Sequence, residues 1–525
     1  MGNKKYFALN RKNSKDKSGK KSTGIRILFI PIKYIINKDK LYKRGGNMKL
    51  KELISELQTI KIIGDEEVEI TEVKTDSNFV TKGSLFIAHR GKGSDGNDYV
   101  KQVEMYGGVA IISERETDTH LTQVIVKDTR KAECIICGKL YGNVYKKMRF
   151  VGVLGTNGKT TTAHMIYHAL KDLGENCAVI GTLGTYYNDK YFEPTLTTPD
   201  PVALHKTLYE MYEAGVRIVV MEVSAHAVYW KKIYGIDYEV VVFTNFTQDH
   251  LDFFGDMNAY KQAKIDFFRQ NKCKYIVTNS DDSVGREILE LGKKTISYGI
   301  ENPADVFAID IKENSDGISF VLNLFDCIYK VDLSYIGKFN VSNAMGALTA
   351  LSLLGANTEK AVLSIQKQKG VSGRLERVYD KNFSVYVDYA HTPDGLMQSL
   401  NAMRKICKGK LICLFGCGGN RDKDKRHKMG KISGELADFT VITSDNPRYE
   451  EPMEIISDIE KGVLSVSKRY VVVEKRESGI EYALSIACDD DVVLIAGKGS
   501  ENYQEILGIK HLYNDKDTVR EILRG

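Results

Sequence analysis

Apolar residues come in short runs along this chain. Runs such as RIVVMEV (217–223), YEVVVF (238–243) and DVVLIAG (491–497) read as buried strands. Between them lie stretches with apolar positions at helical spacing, as where Met165, Ile166, Ala169, Leu170 and Leu173 recur. Strand and helix alternating in this way predict an α/β protein whose sites lie at the carboxyl ends of strands.

The pattern divides the chain. Met48 opens MKLKELISEL, whose leucines and isoleucine recur at helical spacing. Residues 48–147 mix strand-like runs with glycine turns, as in VKTDSNFVTKGSLFIAHRGKGSDGNDYV and GGVAIIS, and predict a small mixed α/β domain. Residues 148–370 alternate strands and helices around a glycine loop, the pattern of a P-loop ATPase-like parallel sheet. From 371 to 525 the chain restarts with FSVYVDYA, KLICLFGCGGN, FTVITSDNP, RYVVVEK and DVVLIAGKG. These predict a Rossmann-like, doubly wound sheet. GCGGN lacks G-x-G-x-x-G, so its glycines read as a tight turn.

Length and composition agree: 525 residues, 42% hydrophobic and 27% charged, suit a soluble globular protein of two to four domains. No run approaches the roughly 18 apolar residues of a membrane span. The nine cysteines form no framework, and Cys134 and Cys137 read as small buried hydrophobes, which suits a reducing cytoplasm.

The net charge of +6 is unevenly spread. Residues 1–47 hold fourteen Lys or Arg and two Asp, a local +12, so the remainder carries +6 less +12, or −6. A basic arm suits nucleic acid or anionic lipid, yet IRILFIPIKYII is too short to span and no cleavage or acylation signal accompanies it. Neither a nucleic-acid partner nor a membrane span is expected. The codons for RGGN, just before Met48, can contain a ribosome-binding sequence. Residues 1–47 are therefore expected to be a mis-assigned start or disordered, with Met48 as the natural start.

The chemistry begins at RFVGVLGTNGKTTTAHMIYHALKDLG, a strand, a glycine turn and a helix. Gly155 and Gly158 let backbone N–H groups converge on phosphate, Lys159 can neutralise the β and γ phosphates, and Thr160 can give a hydroxyl to Mg²⁺. Val153 stands where the general P-loop pattern has glycine, so the loop is a variant. Two further strands end near Glu222 and His250, on the edge expected to carry the loop, and Lys264 follows on a helix.

Taken together, GTNGKTTT, MEVSAH, NFTQDHLD, AYKQAK, GKFNVSNAMGAL, SGRLERV, DYAHTPDGL, GCGGNRDKDKR, SDNPR and AGKGSENYQ resemble the Mur ligases in family order. Within that family they are most similar to the MurE type, which adds the third residue to UDP-N-acetylmuramoyl-L-alanyl-D-glutamate. The resemblance implies a cytoplasmic, monomeric, ATP- and Mg²⁺-dependent amide ligase of peptidoglycan precursor synthesis, working through an acyl phosphate. It implies ATP contacts at Gly155, Thr156, Asn157, Gly158, Lys159, Thr160, Thr161, Asn340, Asn343, Arg374 and Asp388. Metal ligands would be Thr160, Glu222, His250 and Lys264, the last carbamylated because a free ammonium repels Mg²⁺. His391 is given no role.

The UDP-muramoyl-peptide would meet Ser77, Lys92, Gly93, Ser94, Thr197, Thr198, Ser224 and Lys232. SAH replaces the usual two serines, and Lys232 replaces an arginine, keeping the charge but losing the bidentate fork. The incoming amino acid would meet Arg421, Asp445, Asn446, Pro447, Arg448, Gly497 and Glu501, with Ser500 where the family has histidine. By itself Arg448 is either a solvated loop charge or a carboxylate partner. DNPR is the form implied for enzymes that add meso-2,6-diaminopimelate, whose far carboxylate a guanidinium holds with two parallel bonds. The alternatives are an L-lysine-adding ligase, a folylpolyglutamate synthetase-like ligase, and a P-loop binding or regulatory protein.

Overall fold

The computed structural model describes residues 47–524. The expectations for residues 1–46 fall outside that range. The first sheet has five strands in the order Thr59–Ile63, Thr122–Val126, Ala110–Ser113, Ser84–Ile87, Glu72–Lys74, with only the first pair antiparallel. MKLKELISEL forms a short strand, Met48–Lys49, paired with Glu69–Ile70, and then a single helical turn, Leu50–Leu53. One turn suffices because it already buries Leu50, Leu53 and Ile54. Cys134 and Cys137 lie buried on the helix Thr129–Leu140, and burial raises both thiols well above the ordinary value.

The central sheet has eleven strands. Its middle is parallel, and the phosphate-loop strand, Arg149–Leu154, lies between Ile218–Val223, which carries Glu222, and Tyr238–Phe243, which leads to His250. Val153 pairs with both Glu222 and Val242 and is fully buried, so the variant position is a core position. The sheet is not parallel throughout. Gly184–Tyr187 with Lys190–Phe192 extends one edge, and three antiparallel strands, Val306–Asn314, Gly317–Leu324 and Cys327–Leu333, extend the other. The local cause is visible in two turns: Asn188 and Asp189, and Phe325 and Asp326, all have φ between 46° and 63°, as a two-residue hairpin turn requires.

The third sheet follows the order Glu376–Asp380, Ser384–Asp388, Val492–Ala496, Leu411–Phe415, Phe439–Ile442, Tyr470–Val472. The five predicted strands are parallel, and Glu376–Asp380 adds an antiparallel edge from a hairpin at Lys381–Phe383. Apolar side chains bury each face of the sheets, as expected where helices cover both sides. Among the described residues no helix is long and apolar enough to cross a membrane.

Candidate active site

The phosphate loop is shaped by what packs on it. Gly158 has φ +82°, and a Cβ there would lie 2.4 Å from Asn343 Oδ1; one on Gly155 would lie 1.9 Å from Thr244 Oγ1. Only glycine lets the loop pass between these neighbours. Asn343 donates to Asn340 Oδ1 at 2.9 Å and accepts from Thr162, so both asparagines brace the loop helix from Phe339–Leu353. Thr161 is buried in the first turn of the loop helix. Thr156 Oγ1 lies 3.2 Å from the Tyr260 hydroxyl, and Asn157 donates to Asp394 of the third domain at 2.9 Å.

Lys159 Nζ donates to the Gly155 and Thr156 carbonyls at 3.0 and 2.8 Å. Burial lowers its pKa, while Glu222 and Asp249 raise it. Thr160 Oγ1 donates to Glu222 Oε2 at 2.9 Å and accepts from Arg374 Nη2 at 2.9 Å. That hydroxyl thus joins the Glu222 strand to the third domain. Thr182 donates to Glu222 through its N–H and its hydroxyl, and Gly181 must lack a side chain because a Cβ there would lie 2.1 Å from Glu222 Oε1.

His250 caps a four-residue helix with φ +56°, and burial lowers its pKa to about 3, keeping the imidazole neutral. Beside it lies Asp249, which pattern reading passed over. Burial pushes this carboxyl up, but its neighbours His391, His250 and Lys425 more than offset this and hold it well below the ordinary range. His391 Nε2 stands 3.7 Å from Asp249, a second link to the third domain.

Lys264 is completely buried, and its Nζ has no hydrogen-bond partner among the described residues. The ammonium sits 4.6 Å from the Tyr260 ring centre; burial first, then the charge of Lys159, pushes its pKa well down. Lys159 also lowers His250, so Lys159, His250 and Lys264 share one electrostatic neighbourhood. No group of three His, Cys, Asp or Glu stands ready to bind metal among the described residues.

Thr197 and Thr198 reach the Glu222 strand. Thr197 Oγ1 lies 3.2 Å from Thr182 Oγ1, and Thr198 Oγ1 donates to the Glu222 carbonyl at 2.7 Å while accepting from the Ser224 N–H at 3.0 Å. Lys232 pairs with Asp200 at 2.6 Å. In the first domain, Ser77 donates to Gln102 at 3.0 Å. Lys92 donates to the Phe253 carbonyl and sits 3.8 Å from that ring's centre, beside Gly93 in open space and Ser94, whose carbonyl accepts from Gly91. Ser77 thus bonds within the first domain, whereas Lys92 reaches the helical turn after His250.

Loops after four strands of the third sheet gather the remaining residues. Asp388 accepts from Ser399 at 2.6 Å and from the Leu375 N–H at 3.1 Å. Asn446 donates to Glu501 at 2.9 Å, and Lys498, fully buried and not predicted, bridges Asn446 at 3.0 Å and Glu501 at 2.7 Å. Its signal was present: a lysine between two glycines at the end of an apolar strand. Burial raises Asp445, but Lys498 and Arg476 more than offset this and lower its pKa. Gly497, with φ +112°, packs under Asp445.

Arg448 itself takes φ +54°; its Nη1 donates to the Gly419 carbonyl at 2.9 Å, and its Nε lies 3.2 Å from Glu505 Oε2. Arg421 donates to the Asn420 carbonyl. The GCGGN glycines are not a tight turn: Gly416, Gly418 and Gly419 keep φ outside the left-handed region. They lack side chains because a Cβ would strike Thr443 O, Arg448 Nη1 and Pro447 O, at 2.2, 2.8 and 2.0 Å.

Comparison with known proteins agrees along most of the chain. The Mur ligase family catalytic domain matches residues 69–148, the Mur ligase middle domain 153–351, and the Mur ligase glutamate ligase domain 373–499. A Bacillus licheniformis protein named UDP-N-acetylmuramoyl-L-alanyl-D-glutamate--2,6-diaminopimelate ligase is 40% identical over 91% of this chain and 99% of its own. A Bacillus cereus protein of the same name is 38% identical with the same coverage. A solved structure under that name superposes with a TM-score of 0.65 at 30% identity, covering 91% of this chain and 99% of that one. With three domains matched in order and relatives aligned almost end to end, this chain belongs to the Mur ligase family.

Proposed function

We propose that this protein is the ATP-dependent ligase that joins meso-2,6-diaminopimelate to UDP-N-acetylmuramoyl-L-alanyl-D-glutamate, acting as a cytoplasmic monomer in peptidoglycan precursor synthesis. The observation that carries this is Arg448, a guanidinium held by Gly419 and Glu505 in the strand-end loop that also carries Asp445 and Asn446, the latter bonded to Lys498 and Glu501. An amino acid with a second carboxylate suits that set, and L-lysine lacks the group Arg448 would hold.

Three substrates would meet at the phosphate loop. Ser77, Lys92, Gly93 and Ser94 of residues 48–147, with Thr197, Thr198, Ser224 and Lys232, would hold the UDP-muramoyl-dipeptide. ATP would lie on residues 155–161, between Asn340 and Asn343 of the middle domain (148–370) and Arg374 and Asp388 of the third (371–525). The dipeptide's carboxylate oxygen attacks the γ-phosphorus and ADP leaves. The amine nitrogen then attacks the acyl-phosphate carbon, inorganic phosphate leaves, and a proton is lost from nitrogen.

Lys159 neutralises the phosphates between which charge passes. Thr160, bonded to both Glu222 and Arg374, holds the ATP and third-domain groups in one frame. The donor set of Thr160, Glu222, neutral His250 and Lys264 suits Mg²⁺, which would offset the charge of two anions brought together. Lys264 fits the carbamate role because it is buried and unpartnered, and burial pushes its pKa well down, which favours the loss of the proton that CO₂ addition requires.

The test is purified protein with labelled ATP, UDP-N-acetylmuramoyl-L-alanyl-D-glutamate, and diaminopimelate and L-lysine in competition. Phosphate release that needs both dipeptide and amine, with diaminopimelate preferred, is expected. Release with no amine, or preference for lysine, would overturn the reading.

A further inference from the structure

Arg448 is held by an element that buries little of itself. The hairpin Tyr503–Ile506 and Ile509–Leu512 is largely exposed, with Leu507, Ile509 and Leu512 at 68%, 62% and 94%. Its inner strand closes on the Asp445–Tyr449 loop. Arg448 N donates to the Glu505 carbonyl at 3.0 Å, and Leu507 N donates to the Arg448 carbonyl at 2.7 Å. Glu505 N donates to Asn446 Oδ1 at 2.9 Å. The turn residues Leu507 and Gly508 both have positive φ, and a Cβ on Gly508 would lie 2.4 Å from the Tyr449 hydroxyl, so glycine lets the hairpin reach the loop.

The same hairpin reaches the arginine's side chain. Glu505 Oε2 lies 3.2 Å from Nε, and the Gly419 carbonyl takes one Nη1 hydrogen. The ion pair to Glu505 and the hydrogen bond to Gly419 hold the guanidinium from two separate chain segments, and among the described residues no hydrogen bond engages Nη2, which is left for a ligand. A guanidinium already held in its binding pose loses less conformational freedom when a carboxylate arrives.

We propose that Glu505, carried on this hairpin, is a positioning residue that aims Arg448 at the far carboxylate of the incoming amino acid and thereby sets its selectivity. This rests on the diaminopimelate reading above. Glu505 does not touch the reacting atoms, so its effect is confined to the amino acid's end.

The test compares Glu505→Ala and Glu505→Gln with the unaltered enzyme, measuring kcat and KM for diaminopimelate, for L-lysine and for ATP. Expected is a rise of about tenfold in the diaminopimelate KM of Glu505→Ala, the scale of losing a contact to a charged group. Its kcat and ATP KM stay near those of the unaltered enzyme, its lysine KM is unmoved, and Glu505→Gln, which keeps an acceptor oxygen, stays within about threefold. An unchanged or lower diaminopimelate KM in both variants overturns the proposal. So does a parallel loss against ATP and amino acid that Gln does not relieve, which marks a purely structural residue. The unaltered enzyme tests the underlying reading separately: if it fails to favour diaminopimelate over lysine, that reading falls whatever the variants do.

Discussion

Arg448→Ala removes the group on which amino-acid selection is argued to depend, and its cost can be worked from the structure. The side chain is 17% exposed, and it makes an ion pair to Glu505 and a hydrogen bond to Gly419. Truncating one partner of a buried charged contact costs about 2–5 kcal/mol. Partial exposure places this site at the lower end, about 2 kcal/mol, or roughly 30-fold in the KM for diaminopimelate. The backbone does not confuse the result. Arg448 sits at φ +54°, where arginine and alanine carry the same Cβ penalty, so Ala isolates the side chain. Arg448→Lys keeps the charge without the fork and should recover only part of the loss. The assay is steady-state phosphate release with each substrate varied in turn. A KM for ATP that rises as much as the KM for diaminopimelate would refute the selector role.

Further outcomes follow from the same geometry. Lys264→Ala should abolish most turnover with the fold intact, and short-chain carboxylates should restore part of it; no response to added carboxylate or CO₂ would speak against a carbamate. Gly158→Ala places a Cβ 2.4 Å from Asn343 Oδ1 at φ +82°, so ATP binding should weaken at least tenfold by isothermal titration, at a cost of about 1–3 kcal/mol. Lys498→Met leaves Asn446 and Glu501 without their shared donor and should raise the diaminopimelate KM while sparing ATP binding, read in the same assay. Burial holds His205 at about 4, below the unfolded value near 6.5. The unfolded chain therefore binds more protons between those values, and stability present above pH 6.5 is lost as pH falls toward 4. Urea midpoints at pH 7 and pH 4.5 should differ, and His205→Phe should flatten the dependence.

Much of this could be read along the chain because the signals were local. A glycine turn after an apolar strand located the phosphate loop, and the strands ending near Glu222 and His250 flank it in the sheet, as their shared edge required. Hairpin edges were less legible. Strand periodicity is the same whichever way a strand runs, so the antiparallel additions to both large sheets depended on turn residues such as Asn188 and Asp189. MKLKELISEL misled for a related reason: helical spacing describes which side chains can be buried together, and one turn backed by a strand met that need.

What stayed hidden was pairing at long range, and that is where selectivity resides. The guanidinium of Arg448 is fixed by Gly419, 29 residues earlier, and by Glu505 on a later hairpin. Lys498 gains its meaning only when Asn446 is brought 3.0 Å away. A motif can name a charge, but the direction in which that charge points depends on elements with no motif of their own. Asp249 makes the same case at the phosphate edge. Burial raises its pKa, yet His391 of another domain, 3.7 Å away, helps to pull it back down beside His250. Residues that orient the site should therefore tolerate conservative exchange better than the residues they orient, since one acceptor can replace another where a guanidinium has no substitute.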